Sequence, residues 1–540
     1  MSTIRYVLNP VSTLSHVSLL QATRRPDAVA VYYQNGGITF ADLESGSRSL
    51  AQALSGLGVA RGDRVAVWLP NVPAWHLCLL ACAQLGATVV AIDTRFRSAE
   101  LSHILGTAEP RVVVFWPGFH GIDFVSILGD CDRSALAATR AFLRYSETDD
   151  DRTGRVRGIP AYDFRRAIEG PGLDPGQHAR DPEDGCVVFT TSGTTGTPKL
   201  ALHTQASITG HAFDTVRAFG YGASDACILV ATPMCGTSGF GMAVAALAAG
   251  RPQVVAPVFD ERETAGLIRN HKVTHTHATH HIIRRLFDAV REERPFPSLR
   301  LVNCGTRAPA LVDSAAKRGM CIIGVYGSTE VQARFSRQGE ELPPQERAVG
   351  GGMPVSGRAI VRARCLQTGR LLPHGESGEL EIRAPSQLAM YLGDGAPDRK
   401  AFTDDGFVRT GDLGHTLPDG RFVFQSRIGD VLRLSGFLVS AGEIERVVER
   451  HPAVSTCQVV GVETGDGMRP FAFVQLRSGQ RLDPRDLVEF CRRKMAAYKT
   501  PIAFHAVDEF PVTEGPNQTK VQKAKLREMA GALLSARPRA

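Results

Sequence analysis

Short apolar runs alternate with amphipathic stretches through the first two thirds of the chain. Arg64–Leu69 (RVAVWL) has the length and apolar content of a buried strand. Ala74–Gly86 carries apolar residues at helical spacing, and Thr88–Asp93 (TVVAID) is again a strand. A helix starts at Ser98, and RVVVFW after it is a third strand. Such alternation with short turns predicts parallel βαβ units. Tyr145–Arg157 (YSETDDDRTGRVR) is polar and charged and predicts a surface loop. The strand–helix texture resumes at Cys186–Thr190 (CVVFT) and continues through CILVA, GMAVAALAAG, PQVVAP, VTHTHAT, LRLVNCG and CIIGVYG.

After Glu340 the pattern changes. GELEIR, DGFVRTGDLG and GRFVFQSR are short alternating strands with glycine turns, so a β-rich part is expected over about 340–429. A further unit begins near Asp430. Ser440–Glu443 reads as a capping box before IERVVERH, and Asp483-Pro484 starts a helix through RDLVEFCRRKM. The expected fold is α/β, turning to mixed α+β at the C-terminus. A large N-terminal domain of βαβ-type sheets covers 1–429 and a small α+β domain covers 430–540.

Composition narrows the partners. A net charge of +7 over 540 residues permits anionic small molecules and does not argue for nucleic acid. The segment from Val431 onward holds 17 Lys+Arg against 12 Asp+Glu, a balance of +5, so it carries most of the excess. It is either a solvated basic surface or a unit that meets phosphates. The eleven cysteines are scattered without CxxC spacing, and Cys78 and Cys82 fall in an apolar helical stretch as core residues. A reduced, cytoplasmic setting is expected. The longest apolar run, LCLLACAQLGATVVAI, is broken by Gln84 and Gly86, and no membrane span is expected. The sequence leaves a homodimer open.

Chemistry enters at TSGTTGTPK, Thr191–Lys199. It follows an apolar strand and precedes an expected helix. A glycine-rich turn there exposes backbone N–H groups, hydroxyls add donors, and Lys199 adds a point charge; such a nest binds phosphate oxygens. The spacing is GxxGxxK, which is not the Walker pattern. TSGTTGTPK resembles the phosphate loop of the adenylate-forming superfamily, which includes acyl-CoA synthetases, adenylation domains and luciferases. Its other motifs follow in order: VYGSTE (Val325–Glu330), RTGDLG (Arg409–Gly414), SRIGD (Ser426–Asp430), LSGFLVSAGEIE (Leu434–Glu445) and, near the C-terminus, FPVTEGPNQTKVQKAKLRE.

The resemblance implies roles. Thr191, Ser192, Gly193, Thr194, Thr195, Gly196 and Lys199 would hold the phosphates of ATP, with Gly305 and Gly327 against the nucleotide. Tyr326 would lie on adenine, Thr329 would touch the α-phosphate, and Glu330 would help hold Mg2+ through the phosphates. Asp412 would bind the ribose hydroxyls and Arg427 ribose or phosphate. Asp430 would be the hinge of a mobile small domain, Lys520 the catalytic lysine, and Ser435 and Gly436 would approach coenzyme A. Thr191, Lys520 and Glu330 are thus the implied catalytic set. Cys235, Gly236, Gly239, His281 and Gly305 would line the acyl pocket.

The implied reaction is that of an acyl-CoA ligase dependent on ATP and Mg2+. A carboxylic acid becomes acyl-AMP, and coenzyme A then takes the acyl group. The small residues favour a medium- or long-chain fatty acid or an aromatic acid. The other readings are an adenylating enzyme that loads a carrier-protein thiol or another acceptor, and a non-catalytic nucleotide-binding homologue. Two departures bear on this: Gly236 stands where the acyl-CoA synthetases commonly have His, and Thr519 replaces the glycine before the catalytic lysine. His271–His281 (HKVTHTHATHH) has no interleaved Cys or acid and reads as a strand entering a helix.

Overall fold

A computed structural model describes residues 13–535 apart from 149–153, 180, 192–197, 306–308, 394–400, 435–436, 465–466, 496 and 515–518. By packing, the chain forms two units, residues 1–361 with 382–409, and residues 362–381 with 410–540. Residues 362–381 and 410–429, which the sequence reading places in the N-terminal domain, therefore group by packing with the C-terminal residues. The pivot at Asp430 concerns motion and stays a proposal.

The first unit carries the predicted βαβ pattern. One sheet runs, in spatial order, Gly154–Val156, Ile159–Asp163, Ala141–Arg144, Val112–Phe115, Arg64–Trp68, Thr88–Ala91, Gly185–Thr191, Lys199–Thr204 and Met390–Leu392. Its strands from Ile159–Asp163 to Gly185–Thr191 pair in parallel. The end of the polar stretch predicted as a loop, Gly154–Val156, is an edge strand hairpinned to Ile159–Asp163. In the second sheet the strands from Val29–Tyr33 through Gln253–Val255, Ile228–Val230, His275–His277 and Leu301–Cys304 to Cys321–Ser328 are parallel, and Gln332–Arg337 then turns back antiparallel.

Both faces of the parallel strands are buried, which is why they read as continuous apolar runs. Val65, Val67 and Val89 face a central layer of helices, Leu14–Arg24, Phe40–Gly56, Pro73–Leu85 and Thr237–Ala249, shared by the two sheets. Ala66, Trp68 and Val90 face the outer helix Ser98–Ala108. Cys78 and Cys82 are fully buried in Pro73–Leu85, as predicted. Among the described residues, no helix is long and apolar enough to cross a membrane.

In the second unit the strands Val454–Thr464, Gly467–Leu476 and Phe504–Ala506 form a sheet. Cys457, Val459, Ala472 and Val474 pack against the helices Ala441–Val448 and Pro484–Lys494, and Val460, Phe471 and Phe473 pack against Lys523–Ser535. Asp483 caps its helix through the N–H groups of Arg485 and Asp486. The capping box expected at Ser440 does not form. Its hydroxyl makes no cap bond, and Glu443 is drawn instead to Lys499 Nζ at 2.6 Å. A charged knot lies in the same unit: the buried Glu381 carboxylate accepts from Arg362 Nε at 2.6 Å and Arg364 Nε at 2.6 Å. Burial pushes its carboxyl up, but the bonds from Arg364 and Arg362 outweigh that and hold it below its ordinary value.

Removing the acid alone would leave two guanidinium groups facing each other in a partly desolvated site. Glu381→Ala is expected to destabilise the full chain by about 3–5 kcal/mol in urea unfolding. A loss below about 1 kcal/mol would show the knot to be solvated like a surface pair.

Candidate active site

The phosphate-type loop closes a β-hairpin. Gly185–Thr191 pairs antiparallel with Lys199–Thr204, with Thr191 opposite Lys199, and the helix Gln205–Phe219 begins only after the second strand. The expected strand-to-helix turn is thereby corrected: a second strand follows the loop, and the helix comes after it. Ser192, Gly193, Thr194, Thr195 and Gly196 lie outside the described residues. At the hairpin base the Pro198 carbonyl accepts from His103 Nε2 at 2.8 Å.

Lys199 does not stand alone. Met390–Leu392 pairs with the second hairpin strand, with Tyr391 opposite Ala201. That register sets Lys199 Nζ 5.2 Å from the Tyr391 ring centroid, within cation–π range. The Tyr391 hydroxyl donates to Glu330 Oε1 at 2.7 Å. A cation, a ring and a carboxylate thus form one line joining the first and second motifs. Tyr391 was missed in the sequence, where an aromatic in a short apolar run carries no signal.

The second motif occupies the end of Cys321–Ser328 and the turn into Gln332–Arg337. Here two backbones come very close: a Cβ on Gly327 would lie 2.4 Å from Gln332 O and 2.7 Å from Ala333 Cα, so only glycine fits. The ladder shifts register at this point, between Tyr326 and Ser328. Tyr326 is buried beside Phe335. Thr329 is buried, and its carbonyl accepts from His203 Nε2 at 2.8 Å. The Glu330 carbonyl is held by Leu388 N at 2.7 Å. Nearby, His211 Nε2 donates to Ala333 O at 2.8 Å.

The candidate acyl segment leads into the helix Thr237–Ala249, with Gly236 as its N-cap residue. Gly239 does not supply room. A Cβ there would meet Thr232 O at 2.2 Å and Pro233 O at 2.5 Å, so this glycine lets the helix seat on its own entry turn. Gly305 is open, with nothing within 4 Å of a Cβ position. Cys235 and Cys304 are buried, and burial pushes the Cys235 thiol well above its ordinary value, which suits a lining residue and not a nucleophile. His281 lies in the helix His280–Asp288, and its side chain is outside the described residues. Among the described residues no group of three or more His, Cys, Asp or Glu side chains could hold a metal, the histidine-rich stretch included.

The second unit holds the remaining motif residues. Asp412 and Arg427 are directly opposed in the pairing of Val408–Thr416 with Phe422–Arg427, and Arg427 Nε lies 3.1 Å from Asp412 Oδ1. Asp412 is 1% exposed, and its N–H is fixed by the Thr410 hydroxyl at 3.1 Å. Asp430 ends a short 3-10 turn, Ile428–Asp430. Ser435 and Gly436 lie outside the described residues. The lysines of the last motif separate. Lys523 Nζ donates to Glu445 Oε1 at 2.6 Å and to Val459 O at 3.2 Å, tying the last helix to the sheet. Lys520 lies on a different element, the strand Thr519–Val521, opposite Thr513.

Burial pushes His203, His211 and His275 down to about 4 and His277 to about 3. They stay neutral in the fold at pH 5, whereas in the unfolded chain they titrate near 6.5. The unfolded state therefore binds more protons between about pH 6.5 and 4, and stability falls as pH falls through that window. Each histidine should add about 1.4 kcal/mol per pH unit to the slope near pH 5. His203→Gln, which can keep the bond to Thr329 O, should remove one histidine's share. Urea unfolding at a series of pH values checks this; an unchanged slope would show that His203 is protonated in the fold.

The sequence model of the family described as AMP-binding enzyme matches residues 20–392, and that of the AMP-binding enzyme C-terminal domain matches residues 443–515. Sulfoacetate–CoA ligase of Cupriavidus necator is 29% identical over 530 residues, 95% of this chain and 97% of the relative. Triostin synthetase I of Streptomyces triostinicus is 30% identical over 531 residues, 96% of this chain and 94% of the relative. The crystal structure of ATP-bound MatB from Rhodopseudomonas palustris has the same fold, with a TM-score of 0.81 over 96% of this chain and 99% of that one at 22% identity. With both family models matched in order and the expected α/β architecture in place, the chain belongs to the AMP-binding enzymes of the adenylate-forming superfamily.

Proposed function

We propose that the protein is an acyl-CoA ligase that activates a carboxylic acid with ATP and Mg2+ and passes the acyl group to coenzyme A. The observation that carries this is the line Lys199–Tyr391–Glu330 at the foot of the glycine-rich hairpin, beside Tyr326 and Thr329. A cation suited to phosphate oxygens and a carboxylate suited to a metal stand on either side of one tyrosine, where the edge strand of the first sheet meets the turn between two strands of the second. Family members with CoA ligase names support the acceptor.

Glu330 fits Mg2+. That ion takes one or two carboxylates and completes its shell with substrate phosphates and water. A single glutamate, steadied through Oε1 by Tyr391, is such a donor set. When bound, Mg2+ neutralises the polyphosphate and so favours departure of pyrophosphate. The chain's own residues do the rest. Thr329 and the hairpin donors receive charge that builds on the α-phosphate, Lys199 supplies a point charge to the phosphates, and Asp412 with Arg427 holds ribose. The substrate carboxylate is already anionic, so no general base is required. Lys520 acts in this half-reaction only, and the thiol of coenzyme A then displaces AMP from the acyl-adenylate.

Of the acids named in the sequence reading, a medium- or long-chain tail rested on small residues, and Gly239 proves to be spent on backbone packing. The functional test is acid-dependent pyrophosphate release across short, long, aryl and diacid panels, with and without coenzyme A. Turnover that needs coenzyme A supports the ligase. Exchange indifferent to coenzyme A points to another acceptor, and silence with ATP still bound points to a non-catalytic homologue. Lys520→Ala should cut adenylation about 10²–10³-fold and leave thioester formation from supplied acyl-AMP little changed. Equal losses in both would refute the assigned role. Tyr391→Phe removes one hydrogen bond to a charged group and should weaken exchange about 10–100-fold, chiefly through KM for Mg-ATP; an unaltered KM would sever Tyr391 from the site.

A further inference from the structure

The strand Gln332–Arg337 reads QARFSR, with polar residues at every second position. That is the pattern of a strand with one wet face. Yet Gln332, Arg334 and Ser336 are 3%, 1% and 0% exposed. The Gln332 amide reaches Ser207 O and Ser386 O, and the Ser336 hydroxyl reaches Gly351 O at 2.7 Å. Arg334 is different. Its Nη1 donates to Ser238 O at 2.9 Å, but Nε and Nη2 are buried with no hydrogen-bond partner among the described residues.

Those two nitrogens form one edge of the guanidinium, the edge that takes a carboxylate in a bidentate grip. The ionisable groups around it are no counter-ion. They are the Tyr221 phenol and the His211 and His277 imidazoles, and burial holds both imidazoles neutral. The Tyr221 hydroxyl and His277 Nδ1 are themselves buried without a hydrogen-bond partner among the described residues. A buried cation among unsatisfied polar atoms, with no acid among the described neighbours, is a costly arrangement in the empty protein.

The place is telling. Arg334 sits beside the close approach of the two strands: its backbone N lies 2.9 Å from the Cβ position of Gly327, in the nucleotide motif. Its other end meets the helix Thr237–Ala249, through Ser238 O and across Gly241, where a Cβ would come within 2.7 Å of Nη2. It thus bridges the paired strands Cys321–Ser328 and Gln332–Arg337 and the helix that Gly236 caps. Gln332 and Arg334 both take left-handed backbone angles, φ 68° and 59°, uncommon for such residues.

We infer that Arg334 is the specificity residue of the acyl pocket: the acid carries, beyond the carboxylate that is activated, a second acidic group, carboxylate or sulfonate, that the Nε–Nη2 edge grips. This deepens the ligase reading and rests on it. It moves the substrate class away from plain fatty acids, while an aromatic diacid remains within it.

The test uses acids paired by length: butanoate with succinate, hexanoate with adipate, propanoate with 3-sulfopropanoate and benzoate with phthalate. Each is measured by pyrophosphate exchange and by calorimetric binding in the presence of a non-hydrolysable ATP analogue, on the wild type, Arg334→Met and Arg334→Lys. In at least one pair the wild type should favour the doubly acidic member by about 10²-fold or more in kcat/KM. Arg334→Met should cut that preference by about 10²–10⁴-fold, and Arg334→Lys should restore part of it. Arg334→Met should also melt higher than the wild type without ligand, because an uncompensated buried charge is gone. A wild type that prefers the mono-acid in every pair, a preference unchanged by Arg334→Met, or no binding of any doubly acidic member would overturn the inference. A structural arginine would show itself by a lower melting temperature in Arg334→Met with the preference intact. Arginine-dependent binding without exchange would keep the pocket and remove the ligase reading. Exchange on mono-acids, equal in wild type and variant, would do the reverse.

Discussion

The site of the first unit hangs on one close approach of backbone. At Gly327 the strand that carries the nucleotide motif and the strand that returns from it touch so nearly that no side chain fits between them. The register slips there, and the slip has two products. At one strand's end and in the turn after it, Tyr326, Thr329 and Glu330 follow in sequence, each beside a separate neighbour: Phe335, His203 and Tyr391. On the other, Arg334 is set deep in the interior.

Much of this was written in the chain. The βαβ rhythm of Arg64–Phe115 and Cys186–Ser328 reflects strands buried on both faces, and burial of that kind leaves unbroken apolar runs. The hydroxyl–glycine loop, VYGSTE and RTGDLG are local in sequence, so their positions were readable residue by residue. What was not readable is what depends on pairing between distant segments. Tyr391 meets Lys199 only because an edge strand nearly two hundred residues later lies beside the hairpin. The loop's second flank looked helical because the strand Lys199–Thr204 is short and runs straight into the helix Gln205–Phe219. Ser440 had the letters of a capping box, but Glu443 found Lys499 first. At QARFSR the alternation of polar residues marks an interior face and not a wet one.

The same logic separates the lysines near the C-terminus. Lys520 and Lys523 are equivalent in composition and nearly so in sequence. Lys523 is engaged by Glu445 and a strand carbonyl, so its charge is committed to holding the last helix. Tertiary context thus divides one basic run into a fastener and a candidate catalyst, a distinction that no count of charges contains.

Gly239 carries a consequence for how this part of the chain can change over time. The helix Thr237–Ala249 is seated so tightly on the Thr232–Pro233 carbonyls that its backbone has little freedom to shift. A helix fixed to its entry turn in this way is not reshaped by small shifts of backbone. Change at this place proceeds by exchanging the side chains that project from fixed backbone.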